Sequence, residues 1–179
     1  MRRQLAPALR AEAGLTDVIA GRHGPDELGP RVVVSVWSGG AAAGKPDRTA
    51  TLDDLTASLD VTDARSERLV VRVEIRDPRD RSARLLRVFR GQVRPGELDR
   101  YVDEAEAGTR ADAAAGRGPI ALFLGTESSV LDRFVTVSTW PNWTTVEAAT
   151  GGDVGRPIAT RHPERLVAAD VTHFEVIEI

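Results

Sequence analysis

Gly118-Pro-Ile-Ala-Leu-Phe-Leu-Gly125, a polar turn, and then Phe134-Val-Thr-Val-Ser-Thr-Trp140 form the stretch that organises this chain. It reads as a β-hairpin, two apolar runs rich in β-branched and aromatic residues separated by turn residues. The pattern occurs once before. Gly14-Leu-Thr-Asp-Val-Ile-Ala-Gly21 is followed by a polar turn and Arg31-Val-Val-Val-Ser-Val-Trp37, with the same Gly-to-Gly spacing, a Gly-to-Trp spacing one residue longer, and the same Val-Ser-x-Trp ending. A further apolar strand follows each copy at similar distance: Leu69-Val-Val-Arg-Val-Glu-Ile-Arg76 after the first, and Val171-Thr-His-Phe-Glu-Val-Ile-Glu178 after the second. An internal repeat constrains the fold before any single element is assigned.

The second copy reads in full. Leu85-Leu-Arg-Val-Phe-Arg-Gly-Gln-Val93 predicts a strand that Arg94-Pro-Gly96 stops. Pro95 suits the first turn of a helix, in which Leu98, Tyr101, Val102 and Ala105 recur at helical spacing. The hairpin of strands 119–124 and 133–140, a second helix around 143–150, a long polar loop and a final strand 171–178 complete it. The order βαββαβ is the split ferredoxin-like arrangement, so the expected class is α+β with tandem ferredoxin-like repeats. The expected domains are an incomplete repeat over 1–77 and a complete one over 78–179. Matching Gly14 to Gly118 sets Met1 opposite Ala105, so the first strand of copy one has no counterpart. That strand is central in such a sheet, and its loss leaves backbone groups unpaired. The expectation is that the coding start lies upstream of Met1 or that another chain supplies the strand.

Composition bounds the function. The chain has 179 residues, 24 Lys+Arg against 27 Asp+Glu for a net charge of −3, and 41% hydrophobic residues, as an ordinary globular protein has. Its basic residues are scattered among acids, which disfavours nucleic acid as a partner. With no cysteine, disulfides, thiolate metal sites and cysteine nucleophiles are excluded. The opening MRRQLAPALRAEAGL lacks the apolar core of a secretory signal, and no run approaches the length of a membrane span, so the reading is a cytoplasmic protein with no membrane partner. Of eight aromatic residues, only Trp37 precedes residue 83, which places any pocket in copy two.

The residues of copy two, VFRGQVRPGELDRYVDEA, GPIALFLG, FVTVSTW and VTHFEVIEI, resemble the antibiotic biosynthesis monooxygenase (ABM) domain of the dimeric α/β-barrel superfamily. The resemblance covers about residues 83–179 well and 5–76 weakly. It implies two ferredoxin-like units pairing their sheets into a barrel, here as an internal pseudo-dimer, with a homodimer left open. It also implies cofactor-independent oxygenation of an aromatic or polyketide-type small molecule, with a non-catalytic ligand-binding or dimerisation module as the alternative. The haem-degrading relatives carry an Asn on the first strand and a Trp and His along the second helix. Leu85–Val93 has no Asn and 144–155 has neither Trp nor His, which disfavours haem chemistry and weakens the match to quinol-type monooxygenases.

The candidate site residues follow from faces and spacing. Trp140 and Ser138 share one strand face with Phe134 and Thr136. That face either lines an aromatic-walled, substrate-binding cavity or buries Trp140 as a core anchor with a locally satisfied N–H. Asn142 caps the following helix or touches ligand, and Trp143 lies at the mouth of the same cavity. His173, on one side of its strand with Val171, Glu175 and Ile177, is the candidate base. Arg87 projects into the cavity to steady an anion, or pairs with an acid such as Glu175 on a neighbouring strand. In the oxygenase reading His173 supplies the base, Trp140 the aromatic wall and Arg87 the cation. His162 reads as a solvated loop residue and His23 as an exposed turn residue. No pair of histidines has zinc spacing, so no metal is expected. Ser38-Gly-Gly-Ala-Ala-Ala-Gly-Lys45 fails the P-loop pattern because Pro46 follows the lysine, and Gly151-Gly-Asp-Val-Gly155 reads as a loop and candidate lid over the pocket.

Overall fold

The structure, a computed structural model, describes residues 15–24, 30–37, 65, 67–79, 82–127, 130–155 and 163–177. The beginning of the first copy, the segment 38–45 and His162 lie outside these residues. The described residues form seven strands: β1 (Leu15–Arg22), β2 (Arg31–Trp37), β3 (Val70–Arg76), β4 (Leu85–Val93), β5 (Ala121–Thr126), β6 (Arg133–Trp140) and β7 (Leu166–Ile177). Among the same residues are two α-helices, α1 (Leu98–Ala114) and α2 (Trp143–Thr150), which makes the fold α+β.

The chain divides into two compact units. Among the described residues, the smaller holds 15–20, 32–37, 65, 67 and Ile177. Its strand β2 lies beside β1, and Thr16 Oγ1 donates to the Val36 carbonyl at 3.0 Å. Trp37 Nε1 donates to Ser35 Oγ at 3.1 Å, two residues back on the same face.

The larger unit holds the described residues of 21–31 and 68–176. Its sheet runs β7-β4-β6-β5-β3 with every pairing antiparallel. Taken alone, the β4-α1-β5-β6-α2-β7 segment has the fourth-first-third-second strand order of a split βαββαβ unit. Strand β4 is central, and five of its first five residues are buried, so both of its faces are covered. Gly21 packs on one of them: a Cβ there would stand 2.6 Å from Phe174 Cβ and 3.1 Å from Leu86 Cδ2.

Three boundaries differ from the sequence reading. Arg94-Pro95-Gly96-Glu97 is a turn closed by Glu97 N–H to the Arg94 carbonyl at 3.1 Å, with Gly96 at φ 82°. Proline then glycine at a positive φ is the arrangement of a type II turn, so Pro95 precedes the helix instead of opening it. Strand β5 starts at Ala121 and not at Pro119, which has no N–H for the ladder. Strand β7 starts at Leu166, because Gln92 and Val93 at the end of β4 pair with Ala168 and Leu166. That half of β7 is exposed and shows no clear alternation, so only its partner reveals it.

The main core packs α1 on the sheet through Tyr101, Val102 and Ala105 against Phe89, Val93, Leu122, Leu124 and Phe134. The Tyr101 and Phe134 rings lie 4.3 Å apart. Phe134 also covers Gly91, its register partner, and a Cβ on Gly91 would overlap the Phe134 ring. Substituting Gly91→Ala should therefore lower stability by about 1–3 kcal/mol through overpacking. Thermal unfolding should show a melting temperature lower by about 2–10 °C; an unchanged midpoint would mean that the ring moves without cost.

Candidate functional site

The register of β4 determines which side chains meet. Arg87 stands opposite His173 of β7 on one side and Ser138 of β6 on the other, and Ser138 stands opposite Leu122 of β5. Directly opposed residues of antiparallel strands share a face. The neighbouring rows on that face are Val171, Phe89, Thr136 and Leu124, then Glu175, Leu85 and Trp140. Helix α1 covers the same face, and a cavity lies between them, lined by Arg87, Phe89, Tyr101, Thr109, Ser138 and Trp140 among others. Its water-accessible space is about 30 Å³, enough for roughly two water molecules.

Trp140 is fully buried. Its Nε1 donates to Ser138 Oγ at 2.9 Å, the same Ser-x-Trp bond that Trp37 makes with Ser35. The indole therefore offers the cavity its apolar faces. It is anchored by Leu85 and Val146, with Ala149 and Val154 packed around them.

Arg87 is 3% exposed. Its Nη2 donates to the Val154 carbonyl at 3.3 Å, so the segment Gly151–Gly155 is tied to the cavity wall by this side chain. Its guanidinium lies over the Phe89 ring at 5.9 Å. Burial pulls its pKa down to about 10, a fall that the nearby Tyr101 opposes, and it stays a cation at neutral pH. Burial likewise pushes the Tyr101 phenol well above its usual range, leaving it a neutral donor. Glu175 pairs with Arg22 at 3.1 Å and stands opposite Leu85, not Arg87. The alternative Arg87–Glu175 pairing is thus replaced by Arg22–Glu175.

His173 does not line the cavity. Its ring packs on Trp143, with centroids 4.8 Å apart, while its backbone carbonyl meets His23 Nδ1 at 2.8 Å. A carbonyl has no proton to give, so His23 Nδ1 carries the hydrogen. His173 Nε2 is buried and has no hydrogen-bond partner among the described residues. Burial, the Arg87 charge and His23 together lower the His173 pKa to about 4. His23 is exposed. Asn142 caps α2: its Oδ1 accepts from the Thr145 N–H at 3.0 Å, from extended backbone. Trp143 is 45% exposed.

The six predicted residues thus fall into separate places. Arg87, Ser138 and Trp140 share the cavity, His173 and Trp143 pack on each other outside its lining, and Asn142 holds a helix end. Sequence reasoning passed over Tyr101 and Thr109 as cavity groups. The available signal was spacing: Tyr101, Ala105, Thr109 and Asp112 recur on one helix face, and all four line the cavity. Among the described residues, no group of three or more His, Asp or Glu could hold a metal ion, and no helix is long and apolar enough to cross a membrane.

No protein-family model matches the sequence, and no curated protein does. Solved structures do resemble it. A candidate monooxygenase from Lactobacillus acidophilus superposes with a TM-score of 0.70 at 13% identity, over 96% of this chain and 81% of that one. A second candidate monooxygenase, from Fusobacterium nucleatum, gives 0.72 at 11% identity over 97% and 81%. An anthrone oxidase-like protein gives 0.58 at 13% identity over 98% and 83%. At such identities the likeness is one of fold alone.

Two outcomes follow. Replacing Asn142 by Ala should cost about 1 kcal/mol of stability, and Asn142→Asp should restore most of it, as chemical denaturation will report. The His173 ring should titrate near pH 4 by NMR, against an ordinary value of 6.5. Because the unfolded chain binds the proton more readily, the stability tied to a neutral His173 is present above pH 6.5 and is lost as pH falls through about 4. The variant His173→Gln should show a flatter stability profile across that window.

Proposed function

We propose that this chain is an ABM-type monooxygenase that needs no cofactor and oxygenates an electron-rich aromatic of the anthrone or polyketide kind. The observation that carries the reading is a buried cation, Arg87, in a cavity walled by Trp140, Phe89 and Tyr101. Residues 78–179, read as the complete ferredoxin-like repeat, carry all of the described site except Val73 of β3, and 1–77 are read as the incomplete tandem copy. The ligand is a small aromatic molecule and the protein is cytoplasmic.

The chemistry needs an anion held away from bulk water beside dioxygen. An anthrone-type methylene loses a proton to give a delocalised enolate, and Arg87 stabilises the charge at its oxygen. The carbanion then gives electrons to dioxygen. In the balanced reaction R2CH2 and O2 yield R2C=O and water: the substrate loses four electrons, one oxygen atom becomes the carbonyl and the other leaves as water. His173 is the base in this reading: it is unprotonated at neutral pH, its buried Nε2 has no hydrogen-bond partner among the described residues, and it stands beside Arg87 in the strand register, so it acts once its ring turns from Trp143 into the site. A tricyclic substrate exceeds the room present, so its entry displaces the Gly151–Gly155 segment, whose Val154 packs beside Trp140.

Oxygen uptake with a panel of anthrones and quinols tests the proposal. The substitution Arg87→Met replaces a buried cation by an apolar chain and should preserve folding, while lowering kcat/KM about 100-fold, the cost of removing one preorganised donor. Equal rates for the two proteins would overturn the role of Arg87. An His173→Ala variant should lose about 100-fold in kcat if it is the base, and unchanged turnover would remove it from that role. Stabilisation of the chain against heat by these compounds, with no oxygen consumed, would identify a binding module instead.

A further inference from the structure

Thr109 lies in the middle of α1 and is 2% exposed, on the wall of the cavity. Its Oγ1 is buried and makes no hydrogen bond among the described residues. A threonine inside a helix ordinarily turns its hydroxyl back to a carbonyl three or four residues earlier. Thr150 of α2 does so, donating to the Val146 carbonyl at 2.9 Å and lying 3.3 Å from that of Glu147. The corresponding acceptors for Thr109 are the carbonyls of Ala105 and Glu106, and its hydroxyl uses neither. The same residue type, equally buried in two helices of one chain, therefore serves two ends: Thr150 closes its helix and Thr109 holds a polar group open in the cavity.

The rest of the wall sharpens the contrast. Of the other polar groups on the wall, Ser138 Oγ already accepts the Trp140 N–H, Glu106 pairs with Arg110 and Asp112 with Arg117, Arg87 and Thr136 belong to the sheet, and Tyr101 lies two turns earlier on α1. The cavity has room for about two water molecules, so solvent there can meet the hydroxyl. A ligand that displaces that solvent without replacing its hydrogen bond binds less tightly.

We propose that Thr109 is a specificity-determining residue whose hydroxyl engages a second oxygen on the bound aromatic, apart from the oxygen held by Arg87. The inference rests on the reading of this cavity as the substrate site. It selects hydroxylated aromatic ketones or phenols with at least two oxygens over analogues with one.

The test uses the full chain and two probes under anaerobic conditions, 1,8-dihydroxyanthrone and unsubstituted anthrone, with dissociation constants from calorimetry. The wild type should prefer the hydroxylated probe about tenfold, in line with one hydrogen bond to a neutral group. The near-isosteric Thr109→Val should bring the two affinities to parity, and Thr109→Ser should retain the preference. Both variants without ligand should melt within about 2 °C of the wild type, since the hydroxyl has no internal partner to lose. A Thr109→Val protein that keeps the preference overturns the proposal and leaves the reading of Arg87 intact. So does one that melts several degrees lower and is rescued by Thr109→Ser, which would give the hydroxyl an internal structural role. Wild-type protein that binds neither probe overturns both this inference and the assigned function.

Discussion

The simultaneous pairing of β4 with β6 and β7 is the constraint on which the larger unit depends. With a ladder on each edge, β4 has no freedom of register, because a slip of one residue would send every side chain to the opposite face. That pairing puts Arg87, a buried charge, on the helix-covered side, with Ser138 and His173 as its lateral neighbours. Burying a guanidinium is unfavourable in itself. It persists here in a strand whose other positions, Leu85, Leu86, Val88 and Phe89, are all buried and apolar. The core contributed by these residues holds the cation in place on the cavity wall.

The two Ser-x-Trp bonds show how a local pattern becomes a structural unit. Alternation puts serine and tryptophan two residues apart on the same face, where the hydroxyl can accept the indole N–H without help from any other element. A buried tryptophan needs such a partner, and here the partner is written into the strand itself. The arrangement recurs at Trp37 and Trp140 with lengths of 3.1 and 2.9 Å, and at Trp140 it frees the rest of the wall for other polar groups.

Much of this was legible in the chain. Strands β2, β4 and β6 and helix α2 have the predicted bounds, and the last three are delimited by strong local signals: a Pro-Gly turn after β4, a Trp-Pro ending of β6, and an Asn cap and a following glycine at the two ends of α2. The shared face of Phe134, Thr136, Ser138 and Trp140 was equally readable from alternation. What escaped were features decided across the fold. The first half of β7 exists because β4 extends far enough to pair with it, and Glu175 turned to Arg22, more than 150 positions away. Tyr101 read as an ordinary member of an apolar helix face and Thr109 was not singled out, and only the sheet beneath them turns that face into the wall of a cavity. His173 falls on the expected side of its strand, but the packing of Trp143 against it draws its ring away from the lining.

The 3.3 Å bond from Arg87 to the Val154 carbonyl has a thermodynamic corollary. It is near the long limit for such a bond and correspondingly weak, so an anionic oxygen in the cavity competes for the same donor on good terms. Occupancy of the cavity and attachment of the Gly151–Gly155 segment are therefore linked, and linkage is reciprocal. Whatever loosens the segment favours the anion by the same factor that the anion loosens the segment. Residues outside the cavity lining, such as Gly151 and Gly152 with their left-handed backbone, would thereby bear on the affinity for such an anion.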